Sequence, residues 1–225
     1  MKSFLFPLLT ASLLALLPAC ASAAIIWNES TNGNFSADQS APTQLVLSPG
    51  TNSIIGSVGA IAATPNKQDW LTITVPQGDV LSSLILNSFN STDTQGFMGF
   101  QSGTSFVGNA GTAAPYTGYT HWGTAATNGI LPPTDLTGQD LLPLMANPAL
   151  AAGSTGFTPP LAAGSYTFLI QQSGALTNYQ LDFTVTPAPE PASLALFTIA
   201  LSSLAWKRKA NHASMHSKPC ASTQG

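Results

Sequence analysis

Polar and apolar positions alternate most regularly near the end of the chain. Tyr166, Phe168 and Ile170 alternate with Thr167, Leu169 and Gln171. Tyr179, Leu181, Phe183 and Val185 alternate with Gln180, Asp182, Thr184 and Thr186. A period of two turns one set toward a core and the other toward water, the pattern of a half-buried strand. The link Ser173-Gly174-Ala175-Leu176-Thr177-Asn178 reads as a hairpin loop, so 165–172 and 178–186 are expected to pair antiparallel. Leu71, Ile73 and Val75 alternate with Thr72 and Thr74 in the same way. A turn at Pro76-Gln77-Gly78-Asp79 then leads into a Leu- and Ile-rich strand from Val80 to Asn87. Gln44 to Ser48, Ser53 to Val58, Phe97 to Gln101 and Ser105 to Gly108 complete the set. Short strands separated by Gly, Pro and Asn turns predict an all-β fold, an antiparallel, jelly-roll-like β-sandwich.

Asn109 to Pro160 breaks this rhythm. It is rich in Gly, Ala, Thr and Pro, with one short helix expected over Asp140 to Asn147, where Leu141, Leu142 and Met145 can share a face. Long loops inside a compact domain are often functional. This one carries Tyr116, Tyr119, His121 and Trp122 in close order.

The two ends differ again. Lys2, the apolar run from Phe4 to Leu17 and the small residues Ala21-Ser22-Ala23 form a helical secretory signal peptide over 1–23. Signal peptidase would cut it between Ala23 and Ala24. Leu17-Pro18-Ala19-Cys20 offers a looser alternative, a lipobox that would lipidate Cys20. Near the other end, Ala192 to Trp206 carries no charge. As a helix it reaches roughly 22 Å at ~1.5 Å per residue, short of a hydrocarbon core about 30 Å thick. Lys207, Arg208 and Lys209 follow at once, and such cations favour the cytoplasmic side. The expectation is a single, marginal transmembrane helix over 192–206, with 210–225 as a cytoplasmic tail.

Pro189-Glu190-Pro191, then Ala192-Ser193-Leu194-Ala195-Leu196, an apolar stretch and the basic cluster resemble, in that order over 187–209, the PEP-CTERM sorting signal. That signal belongs to bacteria that make exopolysaccharide. The resemblance implies recognition by an exosortase, a membrane-embedded cysteine peptidase that processes the tail near the Pro-Glu-Pro. The domain at 24–186 would then be exported, held briefly in the membrane, and released to the cell surface or extracellular matrix.

A second resemblance is scattered over 25–187. Trp27-Asn28-Glu29, Pro49-Gly50-Thr51-Asn52, Asp69-Trp70, Pro76-Gln77-Gly78 and Leu161-Ala162-Ala163-Gly164-Ser165-Tyr166-Thr167-Phe168 are similar to bacterial pre-peptidase C-terminal-like β-sandwiches. Those are accessory modules, usually not catalytic, and some bind calcium through acids near their start. The resemblance implies Glu29 and Asp69 as calcium ligands. Hard oxygen donors suit that ion, although turn caps use the same residues.

Charge narrows the partners. From Ala24 to Glu190 the only cation is Lys67, against all nine acids of the chain, which makes −8 where the whole chain has −3. This argues against nucleic acid as a partner, because phosphate binding rests on Lys and Arg, and against docking on anionic membrane. Both cysteines, Cys20 and Cys220, lie in the terminal segments, so the domain has neither a disulfide nor a thiolate metal site. Its polarity comes from Ser, Thr, Asn, Gln and Gly, a surface suited to uncharged hydrophilic neighbours such as exopolysaccharide.

Catalytic signals are sparse. His121 is the domain's one histidine and so the one histidine base available to a Ser-His-Asp arrangement. No Gly-x-Ser-x-Gly elbow is present. No pair of carboxylates is marked for glycoside hydrolysis. The expectation is a non-catalytic protein without a cofactor. The alternatives are a calcium-dependent adhesion or glycan-binding module and a His121-dependent hydrolase. Tyr116, Tyr119 and Trp122 either form a platform for sugar rings, since aromatic faces join apolar area to polar tips, or plug the end of the sandwich. Trp27 and Trp70, at strand starts, are expected in the core.

Overall fold

The computed structural model describes residues 23–59, 67–129 and 131–189. The chain divides into two units, Met1–Thr186 and Pro187–Gly225. The expected signal helix, Cys20, the membrane helix over 192–206, the basic cluster and the tail all lie outside the described residues. Among the described residues no helix is long and apolar enough to cross a membrane.

Nine strands and two short helices are described. They are β1 (Ala24–Asn28), α1 (Glu29–Asn32), β2 (Thr43–Val46), β3 (Gly50–Val58), β4 (Gln68–Val75), β5 (Asp79–Asn90), β6 (Gly96–Ser102), β7 (Gly118–Trp122), α2 (Leu142–Ala146), β8 (Gly164–Gln171) and β9 (Thr177–Pro187). One sheet has the order β1-β3-β9-β5 and the other β2-β4-β8-β6-β7. The alternating positions that predicted strands behave as period two requires. Leu71, Ile73 and Val75 of β4, Phe168 and Ile170 of β8, and Leu181, Phe183 and Val185 of β9 are buried in one cluster drawn from both sheets. The rings of Phe168 and Phe183 meet edge to face at 5.8 Å between the two sheets, and those of Trp122 and Tyr179 at 5.5 Å.

Three expectations are corrected. The last two strands do not form a hairpin. β8 pairs antiparallel with β4 and β6, while β9 pairs antiparallel with β3 in the other sheet. The link between them crosses from sheet to sheet, held by Asp93 Oδ2, which accepts the Ala175 N–H at 2.7 Å. The sheets are also mixed, since β1 runs parallel to β3 and β2 parallel to β4. The reason is topological. From β1 to β6 every connection changes sheet, so β3 returns beside β1 after a visit to the other sheet, in the same direction. Finally, Ser105 to Gly108 is not a strand. It belongs to a loop whose Phe106 is buried against a sheet face.

The long segment after Asn109 is more ordered than its composition suggests. It supplies β7 and α2, and Leu141, Leu142 and Met145 are buried as the helix reading expected. Ahead of α2, residues 138–141 run along β5. Gly138 N–H donates to Leu86 O at 2.7 Å and Leu141 N–H to Leu84 O at 2.8 Å. Asp140 Oδ1 accepts both Leu84 N–H at 2.9 Å and Leu142 N–H at 3.1 Å. An otherwise open sheet edge is covered in this way, which blunts edge-to-edge association.

Candidate functional site

The second sheet has an unusual outer face. Strand alternation turns Trp70 and Leu169 away from the main core, yet both are buried. A loop after β6 folds back over them and adds Phe106 and Tyr116, so the four make a second small core. Gln101 pins that loop: its amide donates to Pro115 O at 2.8 Å and its oxygen accepts Val107 N–H at 2.8 Å. Tyr116 lies directly over Gly99. A Cβ there would stand 2.5 Å from the ring, so glycine is what lets the phenol reach the sheet. Burial pushes the Tyr116 phenol well above its usual range, and its hydroxyl donates to Ala110 O at 2.8 Å.

Beside this small core the face stays open. Phe97 of β6 stands in register between His121 of β7 and Gln171 of β8. Its ring lies 5.5 Å from Tyr116, 5.8 Å from Tyr119 and 5.9 Å from the His121 imidazole. Two recesses meet here. One, of about 320 Å³, is lined by Phe97, Tyr116, Tyr119, Gln171 and the 110–113 turn. The other, of about 260 Å³, is lined by Gln95, Phe97, His121, Gln171, Gln172 and neighbours. They share Phe97 and Gln171, and among the described residues no Asp, Glu, Lys or Arg lines either one. Tyr119 is half-buried, and its hydroxyl donates to Ala152 O at 2.7 Å, which holds the ring in place.

Of the three aromatic residues weighed as a sugar platform or a plug, Tyr116 and Tyr119 come together here. Trp122 does not. It occupies the inward phase of β7, fully buried, with its ring 5.1 Å from Phe89 and 5.5 Å from Tyr179. Phe97 and Gln171 were missed as site residues. The signal was present in the alternation, which puts both in the outward phase of their strands. His121 is the next-to-last residue of β7, and its backbone hydrogen-bonds to the Asn128 side chain. Its N–H donates to Asn128 Oδ1 at 2.7 Å, and its carbonyl accepts from Asn128 Nδ2 at 3.1 Å. The buried Asn128 side chain thus plays the part of a neighbouring strand for β7.

Glu29 and Asp69 are drawn toward one tyrosine rather than set out as an open ligand cluster. Glu29 Oε1 accepts Phe35 N–H at 2.8 Å, and Oε2 accepts Ser57 N–H at 2.6 Å and its hydroxyl at 3.0 Å. Asp69, fully buried, accepts the Tyr179 hydroxyl at 2.6 Å. Burial, then the charge and hydrogen bond of Asp69 and the charge of Glu29, hold the Tyr179 phenol far above its usual range. Among the described residues no group of three or more His, Cys, Asp or Glu is placed to hold a metal ion. Trp70 joins the second core, whereas Trp27 is only partly buried and stacks on Phe35 at 5.4 Å.

The described strands run from the expected signal-peptidase cut to the start of the C-terminal motif. β1 starts at Ala24, next to Ala23, and β9 ends at Pro187. Pro189 is the last described residue, and Glu190 and Pro191 lie beyond it. Residues 187–209 match the PEP-CTERM protein-sorting motif. The chain carries a PEP-CTERM sorting signal. Such signals are recognised by exosortase, and the match implies export and sorting to the cell surface. No curated protein and no solved structure matches the sequence. The PEP-CTERM match covers the address and leaves the β domain outside it.

Proposed function

We propose that this PEP-CTERM protein is a non-catalytic β-sandwich that exosortase releases into the extracellular polysaccharide matrix, where it acts as a structural or glycan-associated component. The observation that carries this reading is the placing of the strands. All the described strands lie between Ala24 and Pro187, between the proposed signal-peptidase cut and the sorting motif. Processing at both ends would remove none of the described strands. A core shared by both sheets supports the sandwich, and the pre-peptidase-like pattern of the sequence agrees with an accessory module.

The non-catalytic reading draws on His121. Its imidazole meets the Phe97 ring edge to face, and its hydrogen bonds are those of a strand backbone. A general base would instead be oriented by a third group. The calcium-dependent alternative draws less support, because both Glu29 oxygens already accept protein donors.

The test is the intact mass of the protein recovered from its native host. A mass for a chain from Ala24 to the neighbourhood of Pro191, with or without added sugar, is the expected result. A mass that retains the residues through Gly225 would make the protein a plain membrane anchor and remove the basis for the matrix role.

A further inference from the structure

We propose that the outer face of β8, β6 and β7 is a binding groove for a neutral polysaccharide chain, with Phe97 and Tyr119 as its stacking floor and Gln171 and His121 as its hydrogen-bonding walls. This deepens the matrix reading and rests on it for the ligand's source.

Four observations converge. First, the two recesses share Phe97 and Gln171 and so lie side by side on the strands, an arrangement suited to successive units of a chain rather than to one compact metabolite. The registered row His121–Phe97–Gln171–Gln68 crosses four strands, about 14 Å at ~4.8 Å per strand. Second, the two polar side chains that flank Phe97 are unspent. Among the described residues neither the Gln171 amide nor the His121 imidazole has a hydrogen-bond partner, whereas the nearby Gln172 amide donates to Gln95 O at 2.6 Å. An amide and an imidazole can each both donate and accept, which is what hydroxyl groups require.

Third, among the described residues the groove is lined by no carboxylate and no cation, while the domain around it is acidic. An acidic polymer would find no counter-charge here and a repelling field. An uncharged polyol loses nothing on either count. Fourth, the floor is built in advance. Tyr116 is seated on Gly99, and the Tyr119 hydroxyl is tied to Ala152 O. A ring already held in place gives up little freedom on binding, and its face offers apolar area to the C–H side of a sugar.

The experiment is affinity electrophoresis of the protein purified from its host. The gels contain the neutral fraction of the host's extracellular polysaccharide, its acidic fraction, or hydroxyethyl cellulose. The wild type should be retarded by a neutral polymer. Gln171→Ala and His121→Ala should each weaken that retardation about fivefold, the worth of one lost hydrogen bond. Neither side chain has a hydrogen-bond partner among the described residues, and His121 gives up only an edge contact with Phe97, so both variants should melt within a few degrees of the wild type. Tyr119→Ala should weaken binding further. The proposal is overturned by no retardation in any neutral gel, by retardation that the variants leave unchanged, or by stronger retardation in the acidic fraction. A correctly processed, released protein that fails this test would remove the groove and leave the matrix reading standing. A protein retaining its tail would remove the matrix reading, whatever the gels show.

Discussion

The Tyr179 hydroxyl of β9 donates to Asp69 Oδ2 of β4 at 2.6 Å, with both side chains sealed from solvent. The two strands belong to different sheets, so one hydrogen bond to a carboxylate ties the sheets together through the core. A hydrogen bond to a carboxylate inside a core is charge-assisted and little screened by water, so it is worth more than an exposed one. Tyr179→Phe should therefore destabilise the domain by about 2–3 kcal/mol. Tyr119→Phe removes a hydroxyl bonded to Ala152 O on a half-buried residue and should cost about 1 kcal/mol or less. Urea denaturation of the two variants measures the difference, and equal losses would show that the cross-sheet bond is not special.

The same tyrosine predicts an alkaline limit. Burial and the neighbouring carboxylates raise its phenol well above 10, and burial raises Tyr116 and Tyr166 as well. A group whose folded pKa lies above its unfolded value holds its proton more tightly in the folded state. Its stabilising effect is complete below the unfolded value of about 10 and is lost as pH rises from there through the folded value. Unfolding midpoints should be flat across neutral pH from this source and fall steeply above pH ~10. In Tyr179→Phe the fall should be shallower. Circular dichroism followed together with tyrosinate absorbance tests this: ionisation of the buried phenols and loss of structure should coincide.

Gly56 faces Tyr179 across the β3–β9 pair. A Cβ at this position would collide with the phenol oxygen and lie 2.6 Å from Cζ. Gly56→Ala must then push the ring off Asp69, although alanine suits a strand at least as well as glycine. A cost of about 2 kcal/mol is expected from overpacking. Because both changes act on one contact, Gly56→Ala combined with Tyr179→Phe should cost less than the sum of the two. Additive losses in that cycle would mean that the glycine answers to some other neighbour.

Glu29 works as a clasp between the first turn of the domain and β3. Its carboxylate takes the backbone N–H of Phe35 and both donors of Ser57. Glu29→Gln keeps the shape but turns one acceptor into a donor facing donors, and should destabilise by about 1–2 kcal/mol. With its oxygens so occupied, calcium and a chelator should leave the wild-type melting temperature unchanged. A rise with calcium that Glu29→Gln abolishes would revive the calcium-dependent reading.

Much of this was legible because strand periodicity reports which face a side chain takes. Leu181, Phe183 and Val185 went to the core as their spacing demanded, and Asp140 to Asn147 contained its helix. Partnership was not legible. Period two says nothing about which strand lies alongside, so β8 and β9 read as a hairpin when the turn at Gly174 in fact crosses between sheets. The aromatic site was half legible for the same reason. Tyr116, Tyr119 and Trp122 are close in sequence, but Tyr119 and Trp122 are an odd number of residues apart in one strand and so take opposite faces. Phe97 arrives from a different strand, and only the β6–β7 register brings it to Tyr119 and His121.

The proposed release requires the domain to survive the loss of its tail, and β9 marks how far a truncation can reach. Val185 is the last residue of the main core, and it pairs with Gly50. Pro187 ends β9, and Pro187 and Pro189 are exposed. A chain ending at Pro189 should therefore melt at the same temperature as one that keeps the sorting motif. A chain ending at Phe183 loses Val185 and two rungs of the β3–β9 ladder, and should be less stable by about 3 kcal/mol or more. Thermal denaturation of the two truncations tests this, with the longer chain as reference. A large loss already at Pro189 would mean that the tail contributes to the folded domain and that exosortase processing destabilises what it releases.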